Sequence, residues 1–404
     1  MQRLKTLAIG IIGLALVSGC HSGGSQNEAT PQQSQEGKSA PQVSIGGEPV
    51  VTLKRPRPTD QSKPYFLEAT LIPGKAMNLL QIKAYLPGKG DVELLASPSV
   101  EEAKKLLDSD EEFGNKSFYI GGAVLLPYAN RIRGKLSADK KSIETTIAGK
   151  NVLLPANWIG KKEGAERNSM HGLILSSAFH DVKHQDGAGE SSMSATLHAG
   201  NFGGHWLSQT DVSAETVLKD DALDMNITAT NVGQEPLPMG IGFHPYFVFP
   251  SGNREQARLS LPSNRRALVD NYDNVFPTGK IEKTTGTPHD FSGPGGAALG
   301  KIYLDDCFLD LKRDSSGHAV MEIIDPPARY GLRVTALSPE IKAIQVYAPP
   351  NRNIVAMEPQ FNLADPYSKV WGKTDTGMVM LQPGASVSWH IRMELFVPSA
   401  EGAH

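Results

Sequence analysis

Two residues combine the right chemistry with an unusual setting. His244 lies in Met239–Phe247 (MGIGFHPYF), flanked by aromatic residues and followed at once by proline. The apolar run before it reads as a buried strand or strand entry, which holds the ring rigidly and aims it into a cavity or a core. Glu358 follows the apolar stretch Ile354–Met357 inside Val346–Phe361 (VYAPPNRNIVAMEPQF). A carboxylate at the end of an apolar strand is costly to bury unless it is paired or functional. Histidine and glutamate are the usual members of a general acid/base pair, because surroundings tune both to titrate near neutral pH. Each also has a plain reading, a strand histidine as a satisfied core residue and a glutamate as an ion-pair partner.

Other polar residues stand where strands would bury them. Arg131 sits in Pro127–Ile132 (PYANRI), and His171 in Asn168–Leu173 (NSMHGL) precedes a glycine that permits close backbone approach. Asp305 ends the apolar run in Ile302–Phe308 (IYLDDCF), with Asp306 as the alternative register. Taken singly, Arg131 reads as a salt-bridge partner and Asp305 as a turn cap. His205, beside Trp206, reads as a surface residue, and His180, His184 and His198 fall in a polar region without an assigned role. The chain has two cysteines, Cys20 and Cys307. Cys307 reads as a small buried hydrophobe. No Cys/His cluster has the spacing of a zinc site, so no metal is expected.

Strands must position these groups. Leu223, Met225, Ile227 and Ala229 alternate with Asp224, Asn226, Thr228 and Thr230, and Val387–Leu395 alternates in the same way. Such period-2 runs are strands with one face buried. Ser213–Lys219 and Ala222–Asn231 predict a hairpin through Asp220-Asp221. Val320–Ile323 and Leu332–Leu337 predict another around Asp325-Pro326-Pro327. Val100–Leu107 is the one clear helix, with Ser99 and Glu102 as a capping box. Turn formers are abundant, 40 Gly and 28 Pro in 404 residues. Many strands and almost no helix predict an all-β sandwich. With no second linker and no composition shift after Val43, residues 43–404 are expected to form one large domain.

The N-terminus reads differently. Arg3 and Lys5 precede the apolar Leu7–Val17, which is shorter than the roughly 20 residues of a spanning helix. Val17-Ser18-Gly19-Cys20 resembles the lipobox of bacterial lipoproteins. The expectation is a signal peptide over residues 1–19, a lipidated Cys20, and a flexible polar tether to Gln42. The mature protein would then be an exported, membrane-anchored lipoprotein facing the periplasm or cell exterior, with the outer membrane preferred because His21 is not an aspartate. The net charge of -3 becomes -5 once Arg3 and Lys5 are removed. With no long basic run, nucleic acid is not an expected partner. No glycine-rich phosphate loop stands between a strand and a helix, so no nucleotide cofactor is expected either.

The ordered set NRI, HG, HPYF, an aspartate shortly before Phe308, and ExQ after a VY strand resembles the aldose 1-epimerases, the galactose mutarotase family. The likeness runs from about Gly121 to the C-terminus. It implies an antiparallel β-supersandwich with an open sugar cleft, and an isomerase of carbohydrate metabolism that interconverts the α and β anomers of a free aldose without metal or cofactor. It also implies roles: Arg131 and Asp305 bind sugar hydroxyls, His171 lies near the ring oxygen, His244 is the general acid and Glu358 the general base. Asp305 is preferred to Asp306 because it stands three residues before Phe308. The chain departs from the family pattern at MHGL, where LHGG is common, and in the segment between the two histidines, including Ala199–Trp206. Three alternatives remain at this level. A hexose-phosphate epimerase needs an arginine cluster, and Arg265-Arg266 is the tight pair available. A non-catalytic carbohydrate-binding lipoprotein needs hydroxyl binders but not both His244 and Glu358. A glycoside hydrolase needs two carboxylates across the scissile bond, a part that Asp305 and Glu358 would take.

Overall fold

Alternation of apolar and polar residues leaves each strand with one greasy face, and this chain hides those faces by stacking two large sheets. The computed structural model describes residues 42–109, 113–160 and 162–399. The leader, Cys20 and the tether up to Pro41 lie outside the described residues. One sheet has eleven strands. Its central strands, in spatial order, are Leu304–Leu309, Ala343–Ala348, Ile354–Gln360, Gly242–Val248 and Gly122–Leu125. The other sheet has nine, with Thr210–Leu218, Ala222–Asn231, Ser386–Phe396, Tyr330–Ala336 and Ala319–Asp325 side by side. The strand pairs within both sheets are antiparallel.

The core lies between them. Phe243, Phe247, Met357 and Val346 from the larger sheet share one cluster with Ile227, Val334, Trp389 and Ile391 from the smaller. The Phe243 and Trp389 rings stand 5.9 Å apart, and the Trp389 indole N–H donates to the Pro359 carbonyl across the interface at 3.0 Å. Truncating a buried aromatic such as Trp389 to alanine is expected to cost about 3–5 kcal/mol.

Both expected hairpins form. Thr210–Leu218 pairs with Ala222–Asn231, and Ala319–Asp325 pairs with Tyr330–Ala336. The helix spans Val100–Asp108, one residue beyond expectation, with the Ser99/Glu102 capping box in place. Cys307 is buried and free.

Candidate active site

The strands that supply the core also supply the cleft. Side chains alternate across a sheet, so the neighbours of Phe243, Met357 and Val346 face away from the partner sheet. Those neighbours are His244, Glu358 and Gln345. The register Gly242↔Gln360 and Tyr246↔Ala356 sets His244 opposite Glu358, and Gln345 pairs with Glu358 on the other side. His244 Nε2 and Glu358 Oε1 are 3.5 Å apart, with both side chains almost fully buried. Asp305 enters from the next strand, in register with Tyr347.

Arg131 and His171 come from a smaller sheet laid beside the large one. Arg131 begins a two-residue strand that pairs with Arg167–Met170, and His171 follows that strand directly. Asn130 and His171 both adopt left-handed backbone, φ 63° and 62°. This region is uncommon for non-glycine residues and most often taken by Asn, Asp and His. The His171 N–H donates to the Asn130 carbonyl at 2.8 Å, which ties the two turns together. At Gly172 a Cβ would come within 2.3 Å of the Leu126 carbonyl oxygen, so the glycine after His171 is a packing requirement.

The structure therefore gathers Arg131, His171, His244, Asp305 and Glu358 around one cavity of about 140 Å³. Asp306, the alternative register, is elsewhere. It is buried and accepts hydrogen bonds from Arg266 at 2.7 Å and from the Tyr272 hydroxyl at 3.1 Å. His205 Nδ1–H donates to the Leu153 carbonyl, and Trp206 is buried with its N–H on the Pro238 carbonyl. His180, His184 and His198 pair with Glu48, Asp186 and Asp211 away from this cavity. Arg265 is engaged by Asp310, and Arg266 by Glu282 and Asp306. The arginine pair that a sugar phosphate would need is thus committed to carboxylates.

Sequence reasoning missed two polar residues that close a ring. Arg131 Nη1 donates to Asn130 Oδ1 at 2.9 Å, and Asn130 Nδ2 donates to Gln345 Oε1 at 3.0 Å. Gln345 Nε2 donates to Asp305 Oδ1 at 2.8 Å, and Asp305 Oδ2 lies 3.6 Å from Arg131 Nη2. Asn130 was legible as the first residue of NRI, and Gln345 as the one amide between Ile344 and Val346 in an apolar strand. Rings complete the walls. Phe118 and Tyr246 each meet a site histidine edge-on, at 4.9 Å from His171 and 4.8 Å from His244.

Burial sets the protonation of the pair. Desolvation pulls His244 down to about 4, against a backbone hydrogen bond and with help from the Arg131 charge. His171 is held well below the ordinary imidazole value by burial, by His244 and by Arg131. Burial lifts Glu358 well above the ordinary carboxylate range, Asp305 adds to this, and Arg131 opposes it. Burial thus favours the uncharged form of each partner, a neutral imidazole and a carboxylic acid. Among the described residues, His171 Nδ1, His244 Nδ1, Glu358 Oε2 and Arg131 Nε are buried without a hydrogen-bond partner. Orphaned polar atoms in such a cavity mark places for ligand atoms, since leaving them unpaired is costly. Among the described residues no group of three His, Cys, Asp or Glu is placed to hold a metal ion.

Two antiparallel sheets with a polar cleft on the outer face of the larger one define a galactose mutarotase-like β-sandwich. Solved structures agree. A galactose mutarotase-like protein from Clostridium acetobutylicum superposes with a TM-score of 0.63 at 20% identity, covering 83% of this chain and 93% of that one. An aldose epimerase homologue from C. elegans gives 0.61 at 17% identity, with 82% and 96% covered. Galactose 1-epimerase from Lactobacillus acidophilus NCFM gives 0.59 at 14% identity, with 87% and 99% covered. At these identities the likeness speaks to the fold. The sequence profile of the aldose 1-epimerases matches residues 94–394, and the chain belongs to that family.

Proposed function

We propose that the protein is an aldose 1-epimerase that opens and recloses the ring of a free aldose, with His244 and Glu358 as the proton-transfer pair. The observation that carries this reading is the 3.5 Å approach of His244 Nε2 to Glu358 Oε1 in a buried floor, beside a closed ring of hydroxyl-binding groups. Glu358 takes the proton of the C1 hydroxyl while His244 gives one to the ring oxygen. The C1–O5 bond breaks, C1 becomes a carbonyl, the carbon rotates, and closure runs the transfers backwards onto the other face. Arg131, Asp305 and His171 hold the sugar so that both groups reach it.

Ring opening needs the form with a protonated His244 and an ionised Glu358, and leaves the form with a neutral imidazole and a carboxylic acid. Burial favours the second form, which is complementary to the open-chain aldehyde. The bound pyranose donates a hydroxyl to the carboxylate, and Arg131 favours the same ionised state of Glu358. Arg131 opposes the protonated His244, so the sugar hydroxyl is the contact that brings the reactive form within reach. The proton count never changes, so turnover needs no exchange with solvent. Anomer-resolved NMR exchange on the full-length protein with a panel of free aldoses tests the reading. Cross-peaks between α and β anomers that scale with enzyme concentration are expected. Sugar binding without faster exchange would replace the enzyme with a carbohydrate-binding protein.

We also propose that Cys20 is lipidated and anchors the protein to a membrane facing the periplasm or cell exterior. Intact mass spectrometry is expected to show cleavage before Cys20 and acyl mass on it, and an unmodified Cys20 would refute the anchor.

A further inference from the structure

The segment that carries Arg131 is paired with a strand along one edge only. Arg131 and Ile132 pair with Met170 and Ser169, and the Asn130 carbonyl accepts the His171 N–H on that side. Backbone N–H and C=O groups alternate between the two edges of an extended chain, so Ala129, Arg131 and Arg133 turn theirs the other way. Among the described residues no strand pairs with that second edge. Buried backbone groups need partners, and the loop that follows Glu358 supplies them. Asn362 presents its amide much as a peptide group would. Its Oδ1 accepts the Ala129 N–H at 3.0 Å, and its Nδ2 donates to the Ala129 carbonyl at 2.9 Å. Asp365 takes the next two groups along the same edge. Its N–H donates to the Arg131 carbonyl at 2.6 Å, and its Oδ1 accepts the Arg133 N–H at 3.1 Å.

The clamp is itself anchored. Gln360, on the same strand as Glu358, donates from Nε2 to the Asn362 carbonyl at 2.7 Å. A Cβ at Gly240 would come within 2.1 Å of Asn362 Oδ1, so the amide is wedged against that backbone. The Trp371 indole N–H donates to the Ala364 and Asp365 carbonyls, both at 3.1 Å, and its ring packs in one cluster with Leu363, Cys307 and Ala343. Gln360 and Asn362 are fully buried and Asp365 nearly so. None of the three lines the cavity. Asn130 and Asp305 hold the Arg131 guanidinium from the front, and this loop holds its backbone from behind.

Resting on the epimerase reading, we infer that Asn362 and Asp365 are positioning residues that act through Arg131. They splint its backbone to the chain leaving Glu358, so that the group holding the sugar and the group taking its proton keep one spacing. Distances matter at this scale, since a misplacement of about 1 Å in a bound reactant can cost about a hundredfold in rate.

A double-mutant cycle tests this in the full-length protein, with Asp365→Ala and Asn362→Ala each combined with Arg131→Ala. D-glucose and D-galactose are the probes, and anomer-exchange NMR gives kcat and KM. KM is expected to rise about tenfold in each single variant, as when one hydrogen bond to the sugar is lost. In the Arg131→Ala background the same substitutions are expected to move KM by less than about twofold, because the residue they act through is gone. Asp365→Asn keeps the Oδ1 acceptor and tolerates the left-handed backbone at this position, φ 48°. Its KM at pH 7 is expected to stay within about twofold of wild type. The two alanine variants sever different hydrogen bonds, so the cycle stands on either one if the other does not fold. A merely structural role predicts less folded enzyme, hence a lower kcat at unchanged KM, and equal factors in both backgrounds. Either pattern, or wild-type KM in both single variants, would overturn the inference. Dissociation constants for the same sugars, from NMR titration, separate the two readings. Wild type that binds the sugars without speeding their anomer exchange would sink the epimerase reading. Weaker binding in Asp365→Ala that disappears in the Arg131→Ala background would then leave the clamp standing.

Discussion

Replacing His244 with glutamine separates the acid role proposed for it from its effect on stability, because burial makes the imidazole a titrating element of the fold. In the folded protein His244 titrates at about 4, against about 6.5 in an unfolded chain. The native state therefore keeps the ring neutral between those values while the unfolded state gains a proton. Stability from this group is fully present above about pH 6.5 and is lost as pH falls toward 4. A difference of roughly 2.5 units at 1.36 kcal/mol each amounts to about 3 kcal/mol. His244 is only 5% exposed, so solvent screening takes little from that figure. Glutamine does not titrate. In urea unfolding at a series of pH values, the variant is expected to gain on wild type by up to about 3 kcal/mol between pH 7 and pH 4, on top of a pH-independent offset from the altered packing. Anomer exchange at pH 7 is expected to fall by about 10²–10⁴-fold, the usual contribution of a positioned acid. A stability difference that stays flat across this window refutes the burial argument. An exchange rate equal to wild type refutes the role of His244 in proton transfer.

Glu358→Gln is expected to lower exchange by a similar factor of about 10²–10⁴. Its stability at pH 7 should equal or exceed wild type, because burial raises this carboxyl above its unfolded value and its ionisation counts against the native state as pH rises; a large loss of stability in urea would contradict that. Asp365, whose backbone N–H donates to the Arg131 carbonyl at 2.6 Å, is lifted by burial to about 6. Its folded value lies above the unfolded one, so its contribution is greatest below pH 4 and is lost as pH rises to 6. Asp365→Asn should therefore gain on wild type by about 3 kcal/mol over that interval, measured by denaturant unfolding. Cys307 is buried, and burial pushes its thiol up to about 12. Peptide mapping after iodoacetamide treatment at pH 8 should find it unmodified in the native protein and alkylated in urea; native labelling would show that the strand opens.

The strands were legible because period 2 is a local signal that burial enforces along Ala222–Asn231 and Ser386–Phe396. The site was legible where a polar residue interrupts an apolar strand, as at His244 and Glu358. Which of Asp305 and Asp306 faces the cleft was a question of parity along one strand, and Tyr347 opposite Asp305 answers it. The protonation of the pair was only half readable. Apolar neighbours announced a raised Glu358, but the same burial acting on His244, with Arg131 nearby, needs distances that no spacing supplies. Asn130 and Gln345 were hidden for another reason. Amides gain meaning from partners, and theirs lie 215 residues apart in the chain.

Phe243 and His244 are consecutive residues on opposite faces of one strand, as are Met357 and Glu358. Sliding either strand by a single residue would drive His244 or Glu358 into the core and expose an aromatic or thioether side chain in the cleft. The alignment of His244 and Glu358 is thus guarded by the whole hydrophobic energy of the sandwich. Such a site has no loosened intermediate in which it drifts out of register while the fold persists. Its activity should vanish over the same denaturant range as its near-ultraviolet circular dichroism, and tuning it by substitution has to proceed through the walls and rim while the floor stays as it is.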